Sequence, residues 1–279
     1  MRLLDHDDER AKKLSNEGVT VEDDGVRETL KIPATADAEE AGPADLVIIC
    51  VKAYHTKEAA QAAAPCVGGH TLVLSLQNGA GNVEALVEAF GEDRVLGGTT
   101  AQGANITAEG VVRHAGVGET VIGEPGGGTE RAEAVAAIFN NAGIETGTTV
   151  ELDSVIWSKL AINAAINPLT ALLDVKNGRL AESEHTKELM RLAASEVAEV
   201  CERKGARLLF DDPFEKALAV ANATGDNVSS MLSDVRAGRR TEVDRICGAV
   251  TNEAEGLGMD APVNRTLRLL IKAKEEFSR

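Results

Sequence analysis

Positive charge is in short supply in this 279-residue chain: 29 lysines and arginines stand against 45 aspartates and glutamates, for a net charge of −16. Such a balance disfavours nucleic acid and anionic membrane surfaces as partners, and is also the composition of proteins in salt-rich surroundings. Cysteine is sparse as well. Cys50, Cys66, Cys201 and Cys247 stand far apart, with no C-x-x-C pair and no histidine at ligand spacing, so neither a disulfide framework nor a metal site is expected and the thiols read as reduced. No apolar run approaches the roughly 20 residues of a membrane span. The N-terminal MRLLDHDDER is charged from its second residue, where an export signal needs an apolar core. A cytoplasmic protein is therefore expected. Internal repeats and low-complexity tracts are missing too, and the length suits one large or two medium domains.

What is present changes character near residue 150. Residues 1–150 alternate short apolar or β-branched runs with Ala/Glu-rich stretches, the pattern of a parallel α/β sheet. Asp45–Lys52 (DLVIICVK) and Thr71–Leu76 read as fully buried strands with a helix around Lys57–Ala64 between them, a βαβ unit. A helix near Val83–Phe90 follows, then strands near 94–98, 111–114, 120–122 and 145–148, with a turn at Glu124–Gly128 and a helix at about 130–142. From Asp153 onward helical periodicity prevails, with helices expected at about 153–173, 183–205, 213–221, 227–236, 239–258 and 262–277. The expected architecture is an α/β domain over 1–150 and an all-α domain over 151–279.

Within the second half, WSKLAINAAINP (Trp157–Pro168) places one cation and two amides at every fourth position of an apolar run. On a helix, Lys159, Asn163 and Asn167 share one face over roughly 12 Å, at about 1.5 Å rise per residue. A buried ammonium and two buried carboxamides are unfavourable unless paired, so a core helix bearing them invites a ligand with complementary oxygens. A surface helix with a polar stripe is the other reading. Three loops of the first half lie where α/β sheets bind ligands, beyond the carboxyl ends of strands. Lys52 follows directly on a strand, where it can meet a phosphate or ribose or simply snorkel to solvent. Leu76-Gln77-Asn78-Gly79 offers amide donors, though Asn-Gly is also an ordinary turn. Gly97–Gly103 (GGTTAQG) has small residues that let a ring approach the backbone.

Taken together, VKAY, LQNG, GGTTAQG, WSKLAINAAINPLTALL with Asn177-Gly178 beyond it, and NVSSMLSDVRAGRRTEVDRICG resemble, in that order, the ketopantoate reductase (2-dehydropantoate 2-reductase) family, from about Leu3 to Phe277. The resemblance implies an N-terminal Rossmann-like domain and a C-terminal helical domain, with NADPH and a small 2-keto acid bound between them and a homodimer compatible with the reading. It implies Lys159 as catalytic acid, with Glu242 as the acidic residue near Lys159 and the nicotinamide. Asn163, Asn167, Asn177 and Ser230 then fall on substrate contacts, Asn78 on a residue touching substrate and cofactor, and Lys52 and Gly103 on cofactor contacts. The chemistry suits these residue types. Hydride delivery to a 2-keto group builds negative charge on oxygen, which an ammonium stabilises before supplying the proton. Taken without the resemblance, Glu242 reads first as a helix-surface carboxylate paired with Arg239, Arg240 or Arg245.

One departure matters. Dinucleotide-binding domains open with a strand, a G-x-G-x-x-G turn and a helix whose N-terminus receives the pyrophosphate, and no such segment occurs in this sequence. Arg2–Asp5 followed by Asp8–Ala11 resembles instead the family's second strand and next helix, so the sheet is expected to be N-terminally incomplete. A start upstream of Met1 in a longer gene product, or a real truncation, would each account for it. In either case the chain as it stands is expected to hold the dinucleotide weakly. Asp5 ends that strand, where an acid bonds the ribose 2′-OH and favours NAD, while His6 and Arg10 offset it; NADP is the first expectation and NAD the alternative. A related two-domain hydroxyacid dehydrogenase and a cofactor-free, non-catalytic remnant are the rival readings.

Overall fold

The computed structural model describes residues 1–277. The chain forms two compact units, the first made of Met1–Val51, His55–Leu76 and Val83–Val150, the second of Lys52–Tyr54, Gln77–Asn82 and everything described from Glu151 onward.

In chain order the α/β portion contains β1 (Leu3–Leu4), α1 (Asp8–Glu17), β2 (Val19–Asp23), β3 (Val26–Leu30), β4 (Ala34–Thr35), α2 (Ala38–Ala41), β5 (Ala44–Ile49), α3 (Thr56–Ala63), β6 (Val67–Ser75) and α4 (Asn82–Phe90). It continues with β7 (Val95–Thr100), β8 (Gly103–Ala108), β9 (Val111–Gly116), β10 (Thr120–Gly123), α5 (Glu130–Asn141) and β11 (Thr146–Thr149). The main sheet has the order β11-β10-β7-β6-β5. It is parallel from β5 to β7 and between β10 and β11, but β10 runs antiparallel to β7. The cause is the connection: the hairpin β8–β9, and no crossover helix, lies between β7 and β10, and parallel neighbours need a crossover. Leu74, Leu96 and Ile122 on the central strands pack with Ala132 and Val135 of α5 to form the core.

β5 corrects an expectation. Its run DLVIIC was read as fully buried, yet Leu46 and Val47 are half-buried and Ile48 is 41% exposed. β5 pairs only with β6, and β1 pairs only with β4 in a separate two-stranded sheet, so one flank of this apolar strand has no neighbouring strand among the described residues. A third sheet, β3-β2-β9-β8, was foreseen only at β9. Its β2–β3 hairpin turns at Asp24-Gly25, both at positive φ (44° and 80°), the geometry that makes Asp-Gly a strong two-residue hairpin signal.

The helical unit comprises α6 (Leu152–Leu173), a 3-10 turn at Asn177–Glu182, α7 (Glu184–Arg203), α8 (Pro213–Ala223), α9 (Ser230–Arg236), α10 (Cys247–Gly256) and α11 (Pro262–Phe277). α6 is its axis: α7, α8, α9 and α11 all pack on it, and Trp157, Leu160, Ala161, Ala164, Ala165, Ile166 and Leu169 are buried. The surface-stripe reading of this helix is thereby excluded. Helix starts follow local chemistry. Asp212 caps α8 ahead of Pro213, accepting from the Phe214 and Glu215 N–H groups, and the Glu196 carboxylate of α7 takes the Val263 and Asn264 N–H groups opening α11 at 2.7 and 2.8 Å. The single helix expected over 239–258 is a second correction. Thr241 gives its N–H and hydroxyl to Glu275 of α11 (2.8 and 2.6 Å), a 3-10 turn occupies Val243–Arg245, and regular helix begins only at Cys247. A tertiary partner outcompetes the helical hydrogen bonds there. Among the described residues no helix is long and apolar enough to cross a membrane.

Candidate active site

On α6 the residues Lys159, Asn163 and Asn167 lie one turn apart along a single face. Asn167 is buried, while Lys159 and Asn163 keep part of their surface open. A second polar stripe on the same helix serves the fold, with Ser154 and Ser158 accepting the Arg207 and Leu209 N–H groups at 3.4 and 2.8 Å and so fastening the 207–209 segment. Beyond Pro168, Thr170 gives its hydroxyl hydrogen to the carbonyls of Asn167 and Ile166 (2.9 and 3.1 Å). Its oxygen also meets the Ser229 hydroxyl at 2.7 Å, while Ser229 caps α9 by accepting from the Leu232 N–H. Ser229 is thus the buried anchor of α9, and Ser230, the sequence-predicted contact, is exposed at the first position of the helix.

Burial lowers the Lys159 pKa from 10.5 to about 8, and the Glu242 charge works in the opposite direction. Its ammonium therefore sits in a desolvated place that the Glu242 charge reaches. Glu242, 7% exposed, accepts the Ala53 N–H at 2.9 Å and stands 3.8 Å from Lys52 Nζ. Lys52 in turn lies 2.5 Å from Asp234, a buried carboxylate that also accepts from Arg239 Nε at 3.0 Å. Two short strand-end segments are recruited here. Tyr54 stacks under the Arg240 guanidinium (4.5 Å to the ring centre) and donates its hydroxyl to the Arg240 carbonyl. The Asn78 loop docks through the Ala80 N–H on the Arg245 carbonyl at 3.0 Å, with Asn82 donating to the Asn78 carbonyl. Gly79 has φ of +86°, and a Cβ on it would fall 2.3 Å from the Arg245 carbonyl oxygen; glycine is required there by both backbone and space. Lys52, Lys159 and Glu242 are thereby gathered, with Asn78 on the loop seated against Arg245.

Asn177 opens the 3-10 turn that follows α6. Its amide nitrogen donates to Thr224 Oγ1 at 2.9 Å, but its buried Oδ1 has no hydrogen-bond partner among the described residues. An orphaned buried acceptor costs about 1–3 kcal/mol, so this atom suits a ligand donor. The neighbouring open cavity of about 440 Å³ includes none of the α6 row in its lining, and its charges are spent on one another, Lys176 with Asp226 and Arg179 with Glu182.

Known proteins match both halves of the chain. The family described as "Ketopantoate reductase PanE/ApbA" matches residues 1–127, and its C-terminal counterpart, "Ketopantoate reductase PanE/ApbA C terminal", matches residues 151–275. The chain belongs to the ketopantoate reductase family. Within it, the 2-dehydropantoate 2-reductase of Halobacterium salinarum is 39% identical over 272 residues, 97% of this chain and 89% of that protein. The crystal structure of a PanE/ApbA family ketopantoate reductase from Ralstonia eutropha JMP134 superposes with a TM-score of 0.88 at 31% identity, covering 96% of this chain and 88% of that one. D-mandelate dehydrogenase, at 23% identity, shares the fold with a TM-score of 0.90 over 97% of this chain and 89% of that one.

The remaining candidate residues, Asp5 and Gly103, belong to the first unit. Asp5 is already engaged: Arg10 donates to both its oxygens (2.7 and 2.6 Å) and the Asp7 N–H to one of them. Burial acts to raise its pKa, but these hydrogen bonds and the Arg10 and His6 charges outweigh that and hold the carboxyl below its ordinary range. Gly103 begins β8, where a Cβ would come within 3.2 Å of the Gly116 nitrogen. Asp234, Tyr54 and Arg245 were not foreseen as parts of the site, since 182 residues separate Lys52 from Asp234. Burial pushes the Cys201 and Cys247 thiols up to about 11 and about 12, which leaves these two as thiols at neutral pH. Among the described residues no group of His, Cys, Asp and Glu is arranged to hold a metal ion.

Proposed function

We propose that the chain reduces 2-dehydropantoate to pantoate with NADPH, the step that commits this keto acid to pantothenate and coenzyme A biosynthesis. The observation that carries the reading is the Lys159–Asn163–Asn167 row on a buried helix, with the Glu242 charge acting on the ammonium. When bound, the reduced nicotinamide supplies the hydride. Lys159 Nζ stabilises the charge that develops on the substrate's 2-oxygen and then gives it a proton. A pKa of about 8 suits that role, because the group is mostly charged at neutral pH yet a far stronger acid than an ordinary lysine. Glu242 sustains the ammonium. Asn163, Asn167, Asn177 and Ser230 hold the substrate's carboxylate and hydroxyl without competing for the proton, and the orphaned Asn177 Oδ1 is an acceptor for that hydroxyl. Asn78 lies on a loop fastened to Arg245, which suits a contact with both substrate and cofactor.

NADP is favoured over NAD by the state of Asp5. A carboxylate saturated by Arg10 and Asp7 is a poor partner for a ribose 2′-OH, while the Arg10 guanidinium, 40% exposed, is a donor beside it for a 2′-phosphate. The test is 2-dehydropantoate-dependent oxidation of NADPH by the purified protein. Oxidation that is absent, or that proceeds equally well with unrelated 2-keto acids such as benzoylformate, sinks the reading. Replacing Arg10 by Ala should lower the NADPH/NADH preference at least tenfold; an unchanged preference removes Arg10 as its determinant.

A further inference from the structure

Glu242 faces two ammonium groups with a single charge. Its Oε1 accepts the Ala53 N–H, its Oε2 stands 3.8 Å from Lys52, and its field reaches Lys159. If Lys52 closed on it fully, Glu242 would be neutralised on the wrong side. What prevents this is a second carboxylate. Asp234 Oδ2 lies 2.5 Å from Lys52 Nζ, and because attraction scales inversely with distance it holds that ammonium about one and a half times as strongly as Glu242 does. Asp234 cannot drift: its side chain is 3% exposed, its Oδ1 accepts Arg239 Nε, and its carbonyl accepts the Arg239 N–H.

We propose that Asp234 is a positioning residue for the reduction: by taking the Lys52 ammonium it leaves Glu242 to serve Lys159. The assignment rests on Lys159 as the proton donor. The other charged or titratable groups around the cluster have their own partners. Arg240 is stacked on Tyr54, and Asp244 is held by Arg268 and Lys272 of α11, while Lys272 also bonds Glu275. Arg239 is more than half exposed and bonded to Asp234 itself. Tyr54, whose phenol feels the charges of Lys52, Asp234 and Glu242, has its pKa raised, burial first, and stays neutral.

The test reads Lys159 directly. Protein carrying ¹³Cε-lysine is titrated by NMR, with the Lys159 signal identified by its loss in Lys159→Met, in the wild type, Asp234→Asn, Asp234→Glu, Lys52→Met and the Lys52→Met/Asp234→Asn double variant. Asp234→Asn should lower the Lys159 midpoint by about one pH unit, and the alkaline limb of the kcat profile with it. Asp234→Glu should restore both. With Lys52 removed there is no cation to release, so Lys52→Met should raise the midpoint, and the Asp234→Asn effect should shrink to less than half in that background. An unmoved midpoint in Asp234→Asn, an equal drop in both backgrounds, or a lowered midpoint in Lys52→Met overturns the proposal. Because the titration needs no turnover, a wild-type protein inactive on 2-dehydropantoate would overturn the functional reading while the division of charge is still measured.

Discussion

Replacing Lys159 by methionine should separate stability from activity. Burial holds its pKa at about 8 in place of 10.5, after the offset from Glu242. The unfolded chain keeps the ordinary value, so between about pH 8 and 10.5 it binds a proton that the folded protein does not. Stability therefore rises with pH through that window, and below it the folded state carries the whole penalty of a buried charge. At 1.36 kcal/mol per pH unit this penalty is about 3 kcal/mol at pH 7. Methionine fills similar space without a charge. Two effects reduce the gain: part of Lys159 is open to solvent, and Glu242 loses one cation although Lys52 and the Ala53 N–H still face it. We expect Lys159→Met to be more stable than wild type by about 1–2 kcal/mol at pH 7, with the difference fading from about pH 8 upward. Turnover should fall about 10²–10⁴-fold. Urea unfolding at pH 7 and pH 9.5, beside steady-state reduction, measures both. A variant less stable than wild type at pH 7, or a gain that does not shrink with pH, would refute the electrostatic reasoning; near-wild-type turnover would remove Lys159 as the acid.

Other outcomes follow from the same geometry. In the wild type kcat for reduction should fall with an alkaline limb near pH 8, since Lys159 must carry its proton; a flat profile to pH 10 with chemistry rate-limiting contradicts this. Asn163→Ala and Asn167→Ala should each weaken keto-acid binding by about 1–3 kcal/mol while leaving the cofactor constant nearly unchanged, and equal losses for both ligands would mean that the row faces something other than the substrate. Glu242→Ala should be milder than Lys159→Ala, and the double variant should fall well short of the product of the single effects; strict additivity dissolves the pairing. Gly79→Ala, placing a Cβ 2.3 Å from the Arg245 carbonyl at φ of +86°, should destabilise by at least about 1–3 kcal/mol and raise the KM for both ligands, whereas a silent substitution shows that the loop is not held as described.

The helix that carries the polar row was legible because its signals are local. A helix expected over 153–173 is observed at Leu152–Leu173, since a four-residue recurrence of polar groups in an apolar run has only one regular backbone that aligns it. The βαβ core around β5 and β6 was visible for the same reason, as periodicity and β-branched runs report on the chain's own geometry. Even the unforeseen β2–β3 hairpin was announced by Asp24-Gly25, a two-residue turn with both φ angles positive.

What the tertiary structure decided are matters of which distant groups meet. Residues 239–246 look helical by composition, yet Thr241 answers to Glu275, 34 positions away, and the helix waits until Cys247. Ser229 and Ser230 are chemically alike, but burial and the Thr170 hydroxyl make the first an anchor and leave the second exposed. The run DLVIIC is apolar enough for a buried strand, but burial depends on neighbours, and among the described residues β5 has only β6 beside it. Asp234 is the plainest case. Nothing near it in sequence marks it as the partner of Lys52, because an ion pair is set by distance and dielectric in the folded protein, whereas helix, strand and turn are set by dihedral preferences that each residue carries with it into any fold.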